Sequence, residues 1–149
     1  MQSTQLNLNY HKSVMIWLIL LTIMVFVIIV IGGLTRLTDS GLSMVDWRPI
    51  LGTIPPLNIN QWLKVFNDYQ QSPEFIYVNK NMTLEEFKYI FWWEWFHRFF
   101  ARLIGLVFLI PFVYFVYKKY LNKFLYKRFV IVFSLGLIQA IVGWWMVKS

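Results

Sequence analysis

A nearly unbroken apolar segment close to the start of the chain restricts its fold more than any other feature. Residues 14–31 read VMIWLILLTIMVFVIIVI, in which Thr22 is the only polar residue. A helix of this length can cross the roughly 30 Å of hydrocarbon in a bilayer. Because the segment is longer than the apolar part of a signal peptide and no small-residue cleavage site follows it, we expect a membrane helix that is retained.

Composition predicts the same class for the whole chain. Of its 149 residues, 58% are hydrophobic and 20% are aromatic, which is far outside the range of soluble domains. Apolar stretches predict three spans, at about 14–32, 91–117 and 128–147. We therefore predict an all-α, polytopic transmembrane helical bundle. The chain contains no cysteine, which excludes disulfides and thiolate metal sites.

The distribution of charge predicts how the bundle is oriented. The loop between the second and third spans has five basic residues and no acidic one, whereas the loop of about residues 34–89 is nearly neutral. By the positive-inside rule, the short loop and the amino terminus are cytoplasmic and the long loop is extracytoplasmic. Because the positive charge is unevenly spread and concentrated in this short loop, the net charge of +7 does not imply nucleic acid. We expect membrane lipid as a partner and no nucleic acid. The five basic residues are Lys118, Lys119, Lys123, Lys127 and Arg128.

The long loop contains an amphipathic helix according to its residue spacing. Apolar and aromatic residues recur from Ile59 to Tyr69 at intervals of three and four, with polar residues on the other faces. The aromatic side predicts either a position in the membrane interface or a cover over a site beneath the helix. Ser72-Pro73 predicts the end of this helix. In the same way, Gly32-Gly33 predicts the end of the first span.

A capping box predicts where the second long helix begins. Thr83 is followed three residues later by Glu86, and Met82 and Phe87 are placed as a hydrophobic staple. If this helix is continuous to Tyr117, it is about 50 Å long at 1.5 Å per residue. Because that length exceeds the bilayer, we expect its first turns to lie outside the membrane.

Four ionisable residues interrupt the second span within the stretch FWWEWFHRFFARL. They are Glu94, His97, Arg98 and Arg102. Ionisable groups at membrane depth are costly and usually mark a functional site. The spacing leaves three interpretations open: a structural cluster, a haem or metal site, and a proton or ion path. In the structural interpretation, Glu94 pairs with Arg98 at i, i+4, His97 bonds to a backbone carbonyl, and Arg102 extends toward the interface.

The haem interpretation depends on the residues that follow His97. Ala101 and Gly105 share its side of the helix, so an imidazole stands above two positions with almost no side chain. A porphyrin bound through imidazole needs a flat vacancy of this kind, and guanidinium groups suit its carboxylates. The other histidine, His11, lies on the cytoplasmic side, roughly 30 Å away across the bilayer. We therefore expect that the two histidines cannot ligate one iron in the same subunit.

Four ordered motifs make the chain similar to a known family. They are GGLTRLTDSGLSM with Trp47, Pro49, Gly52 and Pro55-Pro56; a segment with Trp62, Phe66, Tyr69, Ser72-Pro73-Glu74 and Asn79; EEFKYIFWWEWFHRFFARLIG; and QAIVGWWMVKS. Together they cover nearly everything from about residue 14 to the end. The chain resembles the haem A synthases, in the form found in alphaproteobacteria and mitochondria.

The resemblance implies a fold and an activity. Family members have two similar four-helix halves and oxidise the C8 methyl of haem O to the formyl group of haem A for terminal oxidases. The chain then corresponds to three helices of the amino-terminal, substrate-haem half, in the inner membrane of a bacterial cell. A haem b cofactor is expected in the carboxy-terminal half, and haem O synthase and terminal oxidase subunits are candidate partners. On this basis we expect the chain alone to be inactive.

The resemblance also implies roles for single residues. His97 matches an axial ligand of the substrate haem iron, and Glu94 matches a glutamate that is tied to catalysis. The alternatives are a non-enzymatic haem-binding or oxidase-assembly membrane protein with the same fold, and a structural piece that binds nothing. Candidates for binding the haem propionates, or for structural ion pairs, are Arg36, Arg48, Arg98 and Arg102.

Overall fold

Helices make up the regular structure of the chain. The computed structural model describes the backbone of residues 2–45 and 53–148, and the side chains of residues 12–45 and 53–146. In these ranges the elements are α1 (Gln2–Leu37), α2 (Ile59–Gln70), α3 (Pro73–Tyr77), α4 (Leu84–Tyr117) and α5 (Lys123–Lys148), without a strand. Helices α1, α4 and α5 are long and apolar enough to cross a membrane. The predicted all-α fold with three candidate spans is therefore confirmed.

Helix α1 continues past the glycine pair that was expected to end it. Gly32 and Gly33 keep helical dihedral angles, and the left-handed residue is Asp39, with φ of 49°. The amide of Ser40 donates to the Thr35 carbonyl at 2.9 Å, and the amide of Asp39 donates to the Arg36 carbonyl at 3.2 Å. These bonds form a Schellman-type helix end around Asp39. The prediction that Gly32-Gly33 stops the helix is thus wrong.

Helix α4 begins and continues as the sequence predicts. The Thr83 hydroxyl accepts a hydrogen bond from the Glu86 amide, and the Glu86 carboxylate accepts one from the Thr83 amide at 2.7 Å. This arrangement confirms the capping box. The helix then runs without a break through Pro111 to Tyr117, over 34 residues and about 50 Å.

The segment before α4 packs onto its first turns. Tyr69 and Phe87 are fully buried, and their rings stack with centroids 5.0 Å apart. Trp62 meets Phe91 edge to face at 4.9 Å. The aromatic side of α2 therefore covers the first turns of α4. Because Tyr69 is buried in this contact, the pKa of its hydroxyl is raised above its ordinary value. We call the buried set Tyr69, Phe87, Ile90 and Phe91 the outer cluster.

The dipeptide Ser72-Pro73 begins a helix as well as following one. The Ser72 hydroxyl accepts a hydrogen bond from the Phe75 amide at 3.2 Å, and Pro73 occupies the first turn of α3. Proline suits that position because the amide it lacks has no partner there in any case. The break after α2 is therefore confirmed, and α3 is an element that the spacing did not predict.

A second core holds the opposite ends of α1 and α4 together and includes α5. The indole nitrogen of Trp17 donates to the Val107 carbonyl at 2.8 Å, and its ring contacts Phe108, Phe115 and Phe129. Aromatic pairs at such distances add to the stabilisation from apolar burial. We call this set, completed by Val14 and Leu21, the inner core.

Candidate functional site

The predicted polar residues of α4 lie between the outer cluster and the inner core. Five positions on one side of α4 recur every seven residues, or about two turns: Phe87, Glu94, Ala101, Phe108 and Phe115. Four of them are buried, and only Ala101 is exposed. The inward side of α4 is therefore covered at both ends and open in the middle.

Glu94 is buried, with 2% of its surface exposed. One carboxylate oxygen accepts hydrogen bonds from the Ser43 hydroxyl at 2.6 Å and from the Met44 amide at 2.8 Å. The other oxygen accepts a hydrogen bond from the Arg98 guanidinium, with which Glu94 forms an ion pair. Both oxygens are thus engaged, as a buried carboxylate requires.

Arg98 completes a connection between the segment after α1 and α4. Its Nη2 atom donates to the Met44 carbonyl at 3.1 Å as well as to Glu94. The Ser43 hydroxyl also lies 3.4 Å from the Ile90 carbonyl. We call the four residues Ser43, Met44, Glu94 and Arg98 the loop anchor. The Glu94–Arg98 pair of the structural interpretation is therefore present, and two partners from the long loop are added to it.

His97 faces α1 at a glycine. A Cβ atom built on Gly32 would lie 3.3 Å from the imidazole Nε2 and 3.7 Å from its Cδ2. The imidazole is half-buried. The hydrogen bonds of this region are made by Glu94 and Arg98, and within the described ranges His97 makes none. The backbone bond that the structural interpretation assigned to His97 is therefore not formed among the described residues.

The two small residues that follow His97 are uncovered. Ala101 is exposed, and a Cβ atom added to Gly105 would meet no other atom within 4 Å. Each lies one turn beyond the residue before it, so His97, Ala101 and Gly105 form a strip along the open middle of α4. We call these three residues the open strip. It offers the flat space that the spacing predicted beside an imidazole.

The remaining predicted arginines differ in their surroundings. Arg102 is half-buried and lies one turn beyond Arg98. Arg36 is exposed in the last turn of α1, one turn beyond Gly32. Arg48 lies outside the described residues. The structure thus brings Glu94 and Arg98 into contact and places Arg36 near the same end of α1 as Gly32.

The surroundings of His97 suit a porphyrin better than a bare metal ion. Among the described residues no group of three or more His, Cys, Asp or Glu side chains could hold a metal ion. A single imidazole could hold iron where a macrocycle supplies four further nitrogen ligands. The open strip leaves space along the helix, whereas the missing Cβ at Gly32 lets α1 pack closely against the Nε2 side of the imidazole. Within the described residues the buried indole nitrogen of Trp95 also has no acceptor.

Comparison with known proteins identifies the family. The model of the cytochrome oxidase assembly protein family matches residues 15–149. The chain belongs to this family. The resemblance on which the expectations rested is therefore confirmed, and no solved structure matches the chain significantly.

Several relatives in the cytochrome oxidase assembly protein family carry the name haem A synthase. The protein from Nitrosomonas eutropha is 51% identical over 93% of this chain and 39% of its own length. The protein from Nitrosospira multiformis is 49% identical over 99% of this chain and 42% of its own length. The protein from Parvibaculum lavamentivorans is 48% identical over 93% of this chain and 40% of its own length. The chain thus spans about two fifths of the length of these relatives.

Proposed function

We propose that this chain forms the substrate-haem site of an enzyme that oxidises the C8 methyl of haem O to the formyl group of haem A, for terminal oxidase biogenesis. The observation that supports this most is the open strip, in which the half-buried His97 imidazole is followed along α4 by two small, uncovered residues. The names of relatives that are about 50% identical point to the same reaction. A haem-binding role would also explain ionisable groups in a candidate span.

In this proposal the side chains of α4 bind and orient the substrate. His97 holds the iron, and Ala101 and Gly105 accept the face of the ring because they present almost no side chain. Arginines at the outer end are candidates for the haem propionates, since guanidinium groups bind carboxylates through paired hydrogen bonds. We keep Arg36, Arg48, Arg98 and Arg102 as these candidates. Fixing the ring in this way directs one edge methyl toward a chosen protein group.

Glu94 is proposed as the catalytic residue because it lies one turn from His97. A carboxylate beside the reacting methyl could stabilise positive charge that develops at that carbon, or could move a proton. The loop anchor holds this carboxylate by Ser43, Met44 and Arg98, so its position relative to His97 is fixed before substrate binds. Preorganisation of that kind is what electrostatic catalysis requires.

The rest of the assignment concerns the whole protein. We propose a haem b cofactor in the carboxy-terminal half of the enzyme, and haem O synthase and terminal oxidase subunits as partners. The proposed location is a bacterial inner membrane, with the amino terminus in the cytoplasm. If two histidines hold the substrate iron, the second would come from outside this chain, because His11 lies 21 residues from Gly32 along α1, or about 32 Å.

A second function, a haem carrier or assembly factor without catalysis, is favoured by one observation. The family is described by its part in cytochrome oxidase assembly, and haem binding by His97 would serve delivery as well as oxidation. The two functions differ in the pigment that accumulates when the protein is lost. An enzyme leaves haem O unconverted, whereas a carrier leaves haem A formed but not inserted.

Deletion of the gene in its source organism tests the proposed function. We expect membranes of the deletion strain to contain haem O and no haem A when extracted pigments are separated by chromatography. Restoring the gene for the whole enzyme on a plasmid, as the control, should restore haem A. Unchanged haem A in the deletion strain would contradict the enzyme, and haem A present without assembled oxidase would favour the carrier.

The proposed orientation can be tested without any activity. A reporter fused within residues 118–128 should report the cytoplasm, because that short loop carries the positive charge. A reporter fused next to Pro73 should report the outside. A phosphatase that is active only outside and a fluorescent protein that folds only inside give complementary signals at each site. The reverse pattern would remove the argument that His11 and His97 lie on different faces.

A further inference from the structure

Five cations lie between the end of α4 and the second turn of α5, and we call this set the basic turn: Lys118, Lys119, Lys123, Lys127 and Arg128. We propose that the basic turn binds the headgroups of anionic phospholipids. It begins about 36 Å along α4 from Glu94. The lipid site is therefore separate from the loop anchor and the open strip, and its ligand differs from the proposed substrate.

The cations of the basic turn have no counter-charge within the chain. All five side chains are exposed, and the sequence from residue 95 to the end contains no aspartate or glutamate. The ion pairs formed among the described residues both lie in the first half of α4. Lys12 is also exposed and comes two residues before Val14 of the inner core, so it adds a sixth cation at the same end of the bundle. The anions that balance this charge must come from outside the chain.

Helix dipoles account for the cations on one side of the basic turn but not on the other. Lys118 and Lys119 follow the carboxyl end of α4, where a positive charge is favourable. Lys123 begins α5, where a negative charge is favourable and a positive one is not, and the first turn of α5 has no acidic residue. Lys127 is one turn further on the same face, so the two like charges repel each other. The cations of α5 therefore destabilise the helix start unless an anion binds beside them.

Aromatic side chains place the basic turn at the level of lipid headgroups. Tyr117 and Phe124 are exposed, and rings of this kind gather at the membrane interface. The Arg128 guanidinium carbon lies 4.0 Å from the centre of the Phe124 ring, within the range of a cation–π contact. Lys123 is the first residue of a candidate span, and Arg128 lies about 8 Å further along it. Since the headgroup layer is roughly 5–8 Å thick on each side of the hydrocarbon, the cations of α5 extend through its depth.

An anionic phospholipid matches both properties of this surface, whereas a soluble anion matches only one. Its phosphodiester supplies the negative charge, and its acyl chains cover the exposed ring of Phe124 and the exposed aliphatic side chains that follow, such as Ile131. A free phosphate ion or an acidic peptide would balance the charge and leave the apolar surface uncovered. Clusters of four to eight basic residues beside a membrane helix are typical of anionic-lipid binding.

The test measures lipid binding to the purified chain in detergent by native mass spectrometry, with phosphatidylglycerol and phosphatidylcholine as probes. Each basic residue near an anionic surface contributes about fivefold in affinity, so Lys123→Gln combined with Lys127→Gln should weaken the first phosphatidylglycerol site about 25-fold. Phosphatidylcholine binding should not change. Lys123→Arg combined with Lys127→Arg keeps the charge and should bind as wild type does.

The matched control removes the same amount of charge from the long loop. Lys64 and Lys80 are exposed, so Lys64→Gln combined with Lys80→Gln should leave phosphatidylglycerol affinity unchanged. Equal losses in the two glutamine pairs, or equal affinity of the wild-type chain for both lipids, would overturn the inference. Displacement of the lipid by an equal concentration of inorganic phosphate or of a polyglutamate peptide would also overturn it, in favour of a soluble anion or an acidic protein.

A salt titration of the wild-type chain keeps the test decisive if the glutamine pair of α5 does not fold. Because ions screen exposed charges, raising the ammonium acetate concentration should weaken phosphatidylglycerol binding and leave phosphatidylcholine binding unchanged. Phosphatidylglycerol binding that does not depend on salt would contradict a site built from these cations.

Discussion

Replacing His97 with alanine should abolish haem binding by the chain while its helices stay folded. Within the described residues the imidazole makes no hydrogen bond, so its removal leaves no other group without a hydrogen-bond partner. Alanine is also favourable in a helix. The Soret shift on haemin titration should disappear, and the circular dichroism spectrum and melting temperature should stay near those of wild type.

His11→Ala is the matched control for that experiment. His11 lies on the same chain but on α1, about 32 Å along the helix from Gly32, so its loss should leave haemin affinity unchanged. Wild-type affinity in the His97 variant would remove His97 from the ligands. Equal loss in both variants would point to general damage instead of ligation.

The second large effect is expected for Glu94. Glu94→Ala removes the carboxylate partner of the largely buried Arg98 guanidinium and the acceptor of the Met44 amide and the Ser43 hydroxyl. Removing one partner of a buried ion pair costs about 3–5 kcal/mol of unfolding free energy. We expect a loss of that size in chemical denaturation of the purified chain. The control is Glu85→Ala, since the Glu85 carboxylate of the Glu85–Lys88 pair at 2.7 Å is largely exposed and the pair should contribute little.

Glu94→Gln separates anchoring from catalysis at the same position. Glutamine keeps the volume and one acceptor for the loop anchor but removes the charge. If Glu94 is catalytic, as we propose, cells with this variant at the chromosomal locus should retain the protein and its bound haem but accumulate haem O or an alcohol intermediate. The measurement is pigment chromatography normalised to folded protein. Wild-type haem A per folded molecule would leave Glu94 with the anchoring role alone.

Local spacing was sufficient to predict the elements that depend on neighbours along the chain. The Thr83–Glu86 capping box, the continuous α4 and the Glu94–Arg98 pair all involve residues three or four apart or a single apolar run. These interactions can be inferred from sequence because helix geometry alone brings the side chains together. The same holds for the shared side of His97, Ala101 and Gly105.

Contacts between distant segments could not be predicted in this way. Ser43 and Met44 reach Glu94 across about fifty positions, and nothing in their local pattern distinguishes them from other loop residues. Gly32 was misread because a glycine pair after an apolar run is typical of a helix end, whereas here the glycine admits a neighbouring side chain. The signal that could have found it is the aspartate at position 39, which can adopt the left-handed turn itself.

The central claim is that His97 ligates haem iron, and nitrogen hyperfine spectroscopy tests it most directly. The chain is produced with ¹⁵N-labelled histidine in the His11→Ala background, so that His97 is the one labelled histidine. It is loaded with ferric haem and measured by electron–nuclear double resonance beside an unlabelled sample. Ligation predicts a ¹⁵N coupling, with the strength of a directly bound axial nitrogen, that replaces a ¹⁴N signal. Identical spectra from the labelled and unlabelled samples would contradict it.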